Sequence, residues 1–273
     1  MNPRKYPLAA HIAVLMPTLA MVCGCLSACQ TSPLSELDTV FDSAPEQTDS
    51  PLLSTSEIYI NVMEDLLLRQ TDPYGDIVLL SEDPKTVDEY NKFAVYDIDR
   101  DGKEELILQY ATDIYAGWSL YVLDYNEETE ELHIQLDTRP EGTTFYDNGS
   151  VTSKWSHAMS SWGGDFWPYT LYKYQPASDS YVVVGNVDAW SKELSDNADG
   201  FPAFPQEIDV SGSGYVYYIW YPSETSFEKD DPVDASVYEA WWNTHIGDTS
   251  ELSLPYQSLT LYNIQTLRET SRD

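Results

Sequence analysis

Apolar positions change their period twice along this chain. Ile58, Val62 and Leu66, with Ile60, Met63 and Leu67, recur three and four residues apart, and Ser54-x-x-Glu57 precedes them as a capping box. This predicts an amphipathic helix over roughly 56–70. From Phe93 the runs become short and rich in aromatic and branched residues. Phe93–Tyr96, Leu106–Tyr110, Trp118–Leu123, Leu132–Ile134, Tyr169–Tyr174, Tyr181–Val187 and Tyr215–Tyr221 read as strands. Turn residues separate them: Asn126–Glu130, the tight Asp147-Asn148-Gly149, and Pro176–Asp179. Helical spacing then returns. Asp231-Pro232 offers an N-cap and first-turn proline ahead of Val233, Val237 and Trp241, and Thr260 caps a short helix carrying Ile264 and Leu267. The expected fold is α+β: a mainly antiparallel β meander, propeller-like or sandwich-like, with an N-terminal helix and short C-terminal helices. No shift of composition divides 56–273, so one domain is expected there.

The first residues follow a different logic. Arg4 and Lys5 make a basic start, Ile12–Leu26 is largely apolar, and Leu26-Ser27-Ala28-Cys29 closes the run. That order is a secretory signal with small residues before its cleavage point. The closing tetrapeptide resembles the lipobox of bacterial lipoproteins. The resemblance implies removal of residues 1–28, lipid on Cys29 and a location on the extracytoplasmic face of the cell membrane. An ordinary signal peptide or an uncleaved anchor is the alternative, against which Pro17 and the short apolar length argue. Residues 29–55, rich in Ser, Thr, Pro, Asp and Glu, read as the lipidated cysteine and a disordered tether.

All three cysteines (Cys23, Cys25 and Cys29) lie in the leader or at its expected cleavage point, so the folded region has no internal disulfide and needs a good core or a metal. The chain carries 14 basic and 46 acidic residues, a net charge of −32. Loss of Arg4 and Lys5 with the leader would take it to −34. Such a surface repels nucleic acid, which excludes it as a partner, and attracts divalent cations and basic partners.

The acidity is organised at one place. In Asp97-Ile98-Asp99-Arg100-Asp101-Gly102-Lys103-Glu104-Glu105, aspartates fill positions 1, 3 and 5, glycine position 6 and a carboxylate position 9. Alternate spacing turns carboxylates toward one point, and Gly102 permits a sharp turn. Asp97, Asp99, Asp101 and Glu105 would supply side-chain oxygens and Lys103 its backbone carbonyl, a hard-oxygen set suited to Ca²⁺. The alternative is a solvated acidic turn, strained by its own repulsion. A weaker echo, Asp209-Val210-Ser211-Gly212-Ser213-Gly214, keeps one carboxylate. It reads as a hairpin with that geometry and no metal, and hints at an internal repeat.

The 93–110 stretch resembles the calcium loops of integrin-type FG-GAP and VCBS repeats. The chain as a whole resembles acidic lipoproteins of Gram-positive gut bacteria that carry a Tyr-Asp-Ile-Asp-x-Asp-Gly-x-x-Glu-Leu loop. The resemblance implies a surface location and a metal, and no activity.

A second concentration of chemistry lies at 155–169, where glycines and Pro168 make a loop. Trp155, Trp162 and Trp167 stand there beside His157 and Asp165. Flat rings next to polar groups suit carbohydrate, whose apolar faces stack on indole. The same rings could instead close one end of a β core. Enzyme signatures are weak: there is no His-Glu-x-x-His, no Gly-x-Ser-x-Gly and no phosphate-cradling loop. The expected function is a ligand-binding surface module. A glycan hydrolase using Asp165, or a structural cell-envelope protein, is the alternative.

Overall fold

The computed structural model describes residues 54–112, 117–155, 163–197, 202–221 and 232–271, all within one compact unit, Pro51–Asp273. Helix α1 (Thr55–Glu64) begins where the Ser54 hydroxyl accepts from the Glu57 amide at 3.3 Å, relieving one of the unpaired N–H groups of its first turn. A π-helical turn, Asp65–Arg69, continues it until Gln70 enters the left-handed region. Tyr59, Ile60, Met63 and Leu66 form its buried face, close to the predicted stripe.

That face lies on the first sheet. Strands β1 (Lys92–Tyr96), β2 (Glu105–Ala111), β3 (Trp118–Asn126) and β4 (Glu131–Thr138) form an antiparallel meander. Side chains alternate between its faces. Phe93, Leu106, Leu108, Tyr110, Tyr121 and Leu123 meet α1 and a C-terminal helix, while Ala94, Ile107, Leu120, Val122 and Leu136 point the other way. With both faces covered, β2 is buried at every position, and Leu106-Ile107-Leu108 is accordingly apolar throughout rather than alternating.

The opposite face packs on a second sheet. Strands β5 (Thr143–Phe145), β6 (Ser150–Lys154), β7 (Tyr169–Gln175), β8 (Ser180–Ser191), β9 (Tyr215–Trp220) and β10 (Val233–Asp234) run antiparallel in consecutive order. Phe145, Val151 and Tyr181 meet the first sheet. Two stacked sheets with helices outside make an α+β sandwich, which resolves the choice left open between sandwich and propeller. Short helices α2 (Pro84–Tyr90) and α3 (Lys192–Asn197) cap connections. Helix α4 (Ala235–His245) covers the outer face of the second sheet through Tyr238, Trp241 and Trp242 against Tyr169, Leu171 and Val187. Strand β11 (Gln257–Ser258) adds to the free edge of β1. Helix α5 (Leu261–Thr270), capped by Thr260 as predicted, returns to α1, where Arg268 pairs with Glu57 and Glu64 at 3.3 and 2.9 Å.

Two sequence expectations are corrected. Helix α4 starts three residues beyond Pro232, with Asp234 as its cap, because Val233-Asp234 is taken by pairing with β9. Its inward face is the partly buried Tyr238, Trp241 and Trp242, leaving Val237 51% exposed. The 209–214 echo is no hairpin either, since it follows a turn and leads only into β9.

The burial pattern of α1 sets a direct contrast. Met63→Ala should cost about 2–5 kcal/mol by urea denaturation, since it opens a cavity between helix and sheet. Leu68→Ala, at an exposed position of the π turn, should stay within about 0.5 kcal/mol.

Candidate metal centre

Strand β1 ends with Tyr96 opposite Glu105, the first residue of β2, so the loop between them opens and closes at one place. Arg100 and Gly102 both take positive φ, 66° and 94°, and reverse the chain. A Cβ at Gly102 would meet nothing within 4 Å, so glycine is favoured there for its backbone angle rather than for space. Two aspartates then fold the loop on itself. Asp99 Oδ1 accepts from the Asp101 amide at 3.0 Å, and Asp101 Oδ1 from the Lys103 amide at 2.8 Å. Ile98, buried in the inter-sheet core, pins the loop between Asp97 and Asp99, and its amide donates to Glu105 Oε2 at 2.8 Å.

The result brings together Asp97, Asp99 and Glu105, which each offer an oxygen within 4.8 Å of the others. Oxygens bound to one Ca²⁺ at about 2.4 Å can lie no farther apart than about twice that distance, so the three fit a single coordination sphere. Glu105 is 0% exposed, and its Oε1 has no hydrogen-bond partner. Asp97 Oδ1 is also buried and unpartnered. An ionised oxygen so placed is costly unless a cation meets it. Burial pushes the Glu105 carboxyl up to about 8, the charges of Asp99, Asp101 and Asp124 add to the rise, and the Ile98 N–H opposes it. Asp99 is raised too, mainly by burial. The donors are all oxygen, which suits a hard cation and offers nothing that favours zinc.

Asp101 is not part of this trio: it is exposed, and its oxygen described above is engaged within the loop. Lys103, whose backbone carbonyl was the expected ligand, has an exposed side chain. The surroundings add groups that the sequence did not single out. Gln135 Nε2 donates to Asp99 Oδ2 at 3.1 Å and to Asp179 Oδ1 at 2.6 Å. Tyr174 donates to the same Asp179 oxygen at 2.8 Å. Asp124, Gln135 and Tyr181 each keep a buried polar atom without a partner. Gln135 was hard to find because a β-bulge puts it there: Val122 pairs with Leu136 and Leu123 with Ile134, so Gln135 is the extra residue.

The echo loop solves the same problem differently. Asp209 is buried, but Oδ1 accepts from the Ser213 amide and hydroxyl at 2.9 and 3.1 Å, and Oδ2 from the Gly214 amide at 3.0 Å. Its charge is met by donors of its own loop.

The aromatic segment is divided. Trp155 donates its indole N–H to Thr170 Oγ1 at 2.8 Å and sets its ring edge-on to Trp220, so it belongs to the packing of the second sheet. Phe166 packs edge-on to Tyr217 and Tyr238. Asp165 is exposed and Trp167 is 40% exposed. His157 and Trp162 lie outside the described residues, as does Cys29. This segment enters β7 at its first residue, whereas the Asp179 turn leaves its last. The two places are therefore about 20 Å apart, the length of a seven-residue strand.

No family model, curated protein or solved structure matches the chain.

The position of Glu105 fixes a pH dependence. In the metal-free protein its folded value, about 8, lies above its ordinary 4.5. Its contribution to stability is thus fully present below 4.5 and lost as pH rises through 8. A cation bound among these carboxylates would have to displace this proton near neutrality, so cation affinity should climb from pH 6 to 8.5 and then level off. Calorimetry at pH 7 in buffers of different ionisation enthalpy should report release of roughly one proton per ion, and Glu105→Gln should abolish it.

Proposed function

We propose that this protein is a lipid-anchored, calcium-stabilised binding module on the extracytoplasmic face of the membrane, with carbohydrate as its ligand class. The observation that carries the calcium part is the fully buried Glu105, one oxygen of which has no partner, gathered with Asp97 and Asp99. The anchor rests on the lipobox-like Leu26–Cys29. No helix among the described residues is long and apolar enough to cross a membrane.

The cation is a local clamp. With an extracellular-type dissociation constant of about 0.1 mM and free calcium of about 1 mM, occupancy adds roughly 1.4 kcal/mol to stability. That is small beside the cores on both faces of the first sheet, so the domain should fold without the ion and melt higher with it.

Carbohydrate binding is supported by Trp167, partly exposed beside exposed Asp165 in a loop with aromatic backing. A structural envelope role is favoured instead by the inward packing of Trp155 and Phe166. Screening against glycans with tryptophan fluorescence as readout separates the two. Saturable quenching or enhancement that Trp167→Ala removes would support binding, and a flat response across glycans would favour the structural role.

For the metal, Asp97→Asn is the cleanest variant, because the Oδ1 it alters makes no hydrogen bond. It should abolish the calcium-induced rise in Tm and leave the metal-free Tm unchanged or slightly higher, since it removes repulsion. Equal Tm losses with and without calcium would show that Asp97 acts through something other than a metal. Because the aromatic loop lies at the far end of β7, chelation well below Tm should leave glycan binding intact.

A further inference from the structure

The residues around the acidic trio come from both sheets. Asp97, Asp99 and Glu105 belong to the β1–β2 connection of the first sheet, whereas Asp179 sits on the β7–β8 turn of the second. Asp99 and Asp179 are like charges from opposite layers, held together by a donor they share. Gln135 Nε2 bridges them at 3.1 and 2.6 Å, and the Tyr174 hydroxyl donates to Asp179 at 2.8 Å. Asp179 adopts φ 47°, a left-handed conformation uncommon for a residue with a side chain, and so turns its carboxylate toward this bridge at some cost in backbone energy.

Two further groups point to a ligand in the same space. Gln135 is 3% exposed, and its Oε1 has no partner. The Tyr181 hydroxyl, on β8 of the second sheet, is also buried and unpartnered, and its ring belongs to the same inter-sheet cluster as Ile98 of the loop. Neither group belongs to the 97–105 loop. Both are oxygen atoms that a cation, or water bound to one, would satisfy.

We propose that Gln135, Tyr174 and Asp179 are positioning residues for the cation, and that occupancy of the 97–105 loop locks the β7–β8 turn of the opposite sheet onto it. The inference rests on the calcium reading of the loop. A cation held by Asp99 offsets the repulsion between Asp99 and Asp179, and the bridge fixes the Asp99 oxygen in return. Coupling of this kind is reciprocal: whatever factor the turn adds to cation affinity, the cation adds to closure of the turn.

Hydrogen exchange on the purified full chain, with and without millimolar calcium, reads the coupling directly. Calcium should slow exchange in 174–181 as well as in 96–105, by tenfold or more. Tyr174→Phe and Gln135→Leu should each weaken calcium binding by about 10-fold or more, the range for groups that orient metal ligands. Each should also abolish the calcium-dependent protection of 174–181. Tyr174→Phe removes a single hydroxyl and carries the test if Gln135→Leu fails to fold. Calcium binding by the wild type with protection confined to 96–105, and affinity in Tyr174→Phe within about twofold, would overturn this inference alone. Absence of calcium binding by the wild type would overturn the calcium reading and this inference with it.

Discussion

A sheet covered on both faces leaves its polar atoms no water, and that constraint shapes everything at the end of the β1–β4 sheet. Helices α1 and α5 close one side and the second sheet closes the other. Any carboxylate placed there must find donors or a cation inside the protein, because unmet charge in such a place is among the largest penalties a fold can carry. Glu105 starts β2 on the inter-sheet face and is fully buried, so the loop before it must supply what the solvent does not. The Ile98 amide meets one of its oxygens, the other has no partner, and Asp97 and Asp99 lie close by. The curled backbone, the raised Glu105 carboxyl and the bridge to the second sheet all follow from that placement.

The two loops with alternate acidic or hydroxyl positions show how small a sequence change separates two chemistries. Around Asp209, serines at the third and fifth positions bring hydroxyl and amide donors, and one carboxylate is satisfied from within. Around Asp97, aspartates at those positions bring more charge and no donors except backbone amides. A donor-rich loop needs nothing further, whereas an acceptor-rich loop gathers positive charge. The distinction lies in the balance of donors and acceptors, and spacing alone does not reveal it.

Much of this was legible in the sequence. Ser54 and Thr260 mark helix starts by a mechanism the structure reproduces, and the strand runs from Phe93 to Trp220 are where aromatic and branched residues cluster. Asp97, Asp99 and Glu105 converge as their spacing suggested. What stayed hidden depends on tertiary pairing. Whether the strands form a propeller or a sandwich is decided by which sheet faces meet, and no local pattern records that. Asp231-Pro232 and Asp234-Ala235 are both reasonable helix starts, and pairing of Val233-Asp234 with β9 selects the second. Asp83-Pro84, by contrast, marks the start of α2 by a local signal, a capping aspartate before a first-turn proline. Gln135 could not be found by period, because the bulge that aims it is a property of two strands together. Trp155 and Trp167 look alike in sequence; a hydrogen bond to Thr170 draws the first into the sheet.

If one hard cation sits among Asp97, Asp99 and Glu105, crystals of the protein grown with terbium, a trivalent mimic of calcium, should locate it by anomalous scattering. A strong peak is expected about 2.3–2.6 Å from oxygens of those three residues, displaced by excess calcium. Strong peaks confined to the exposed acidic surface, with none between Asp97 and Glu105, would mean that no such cation binds there.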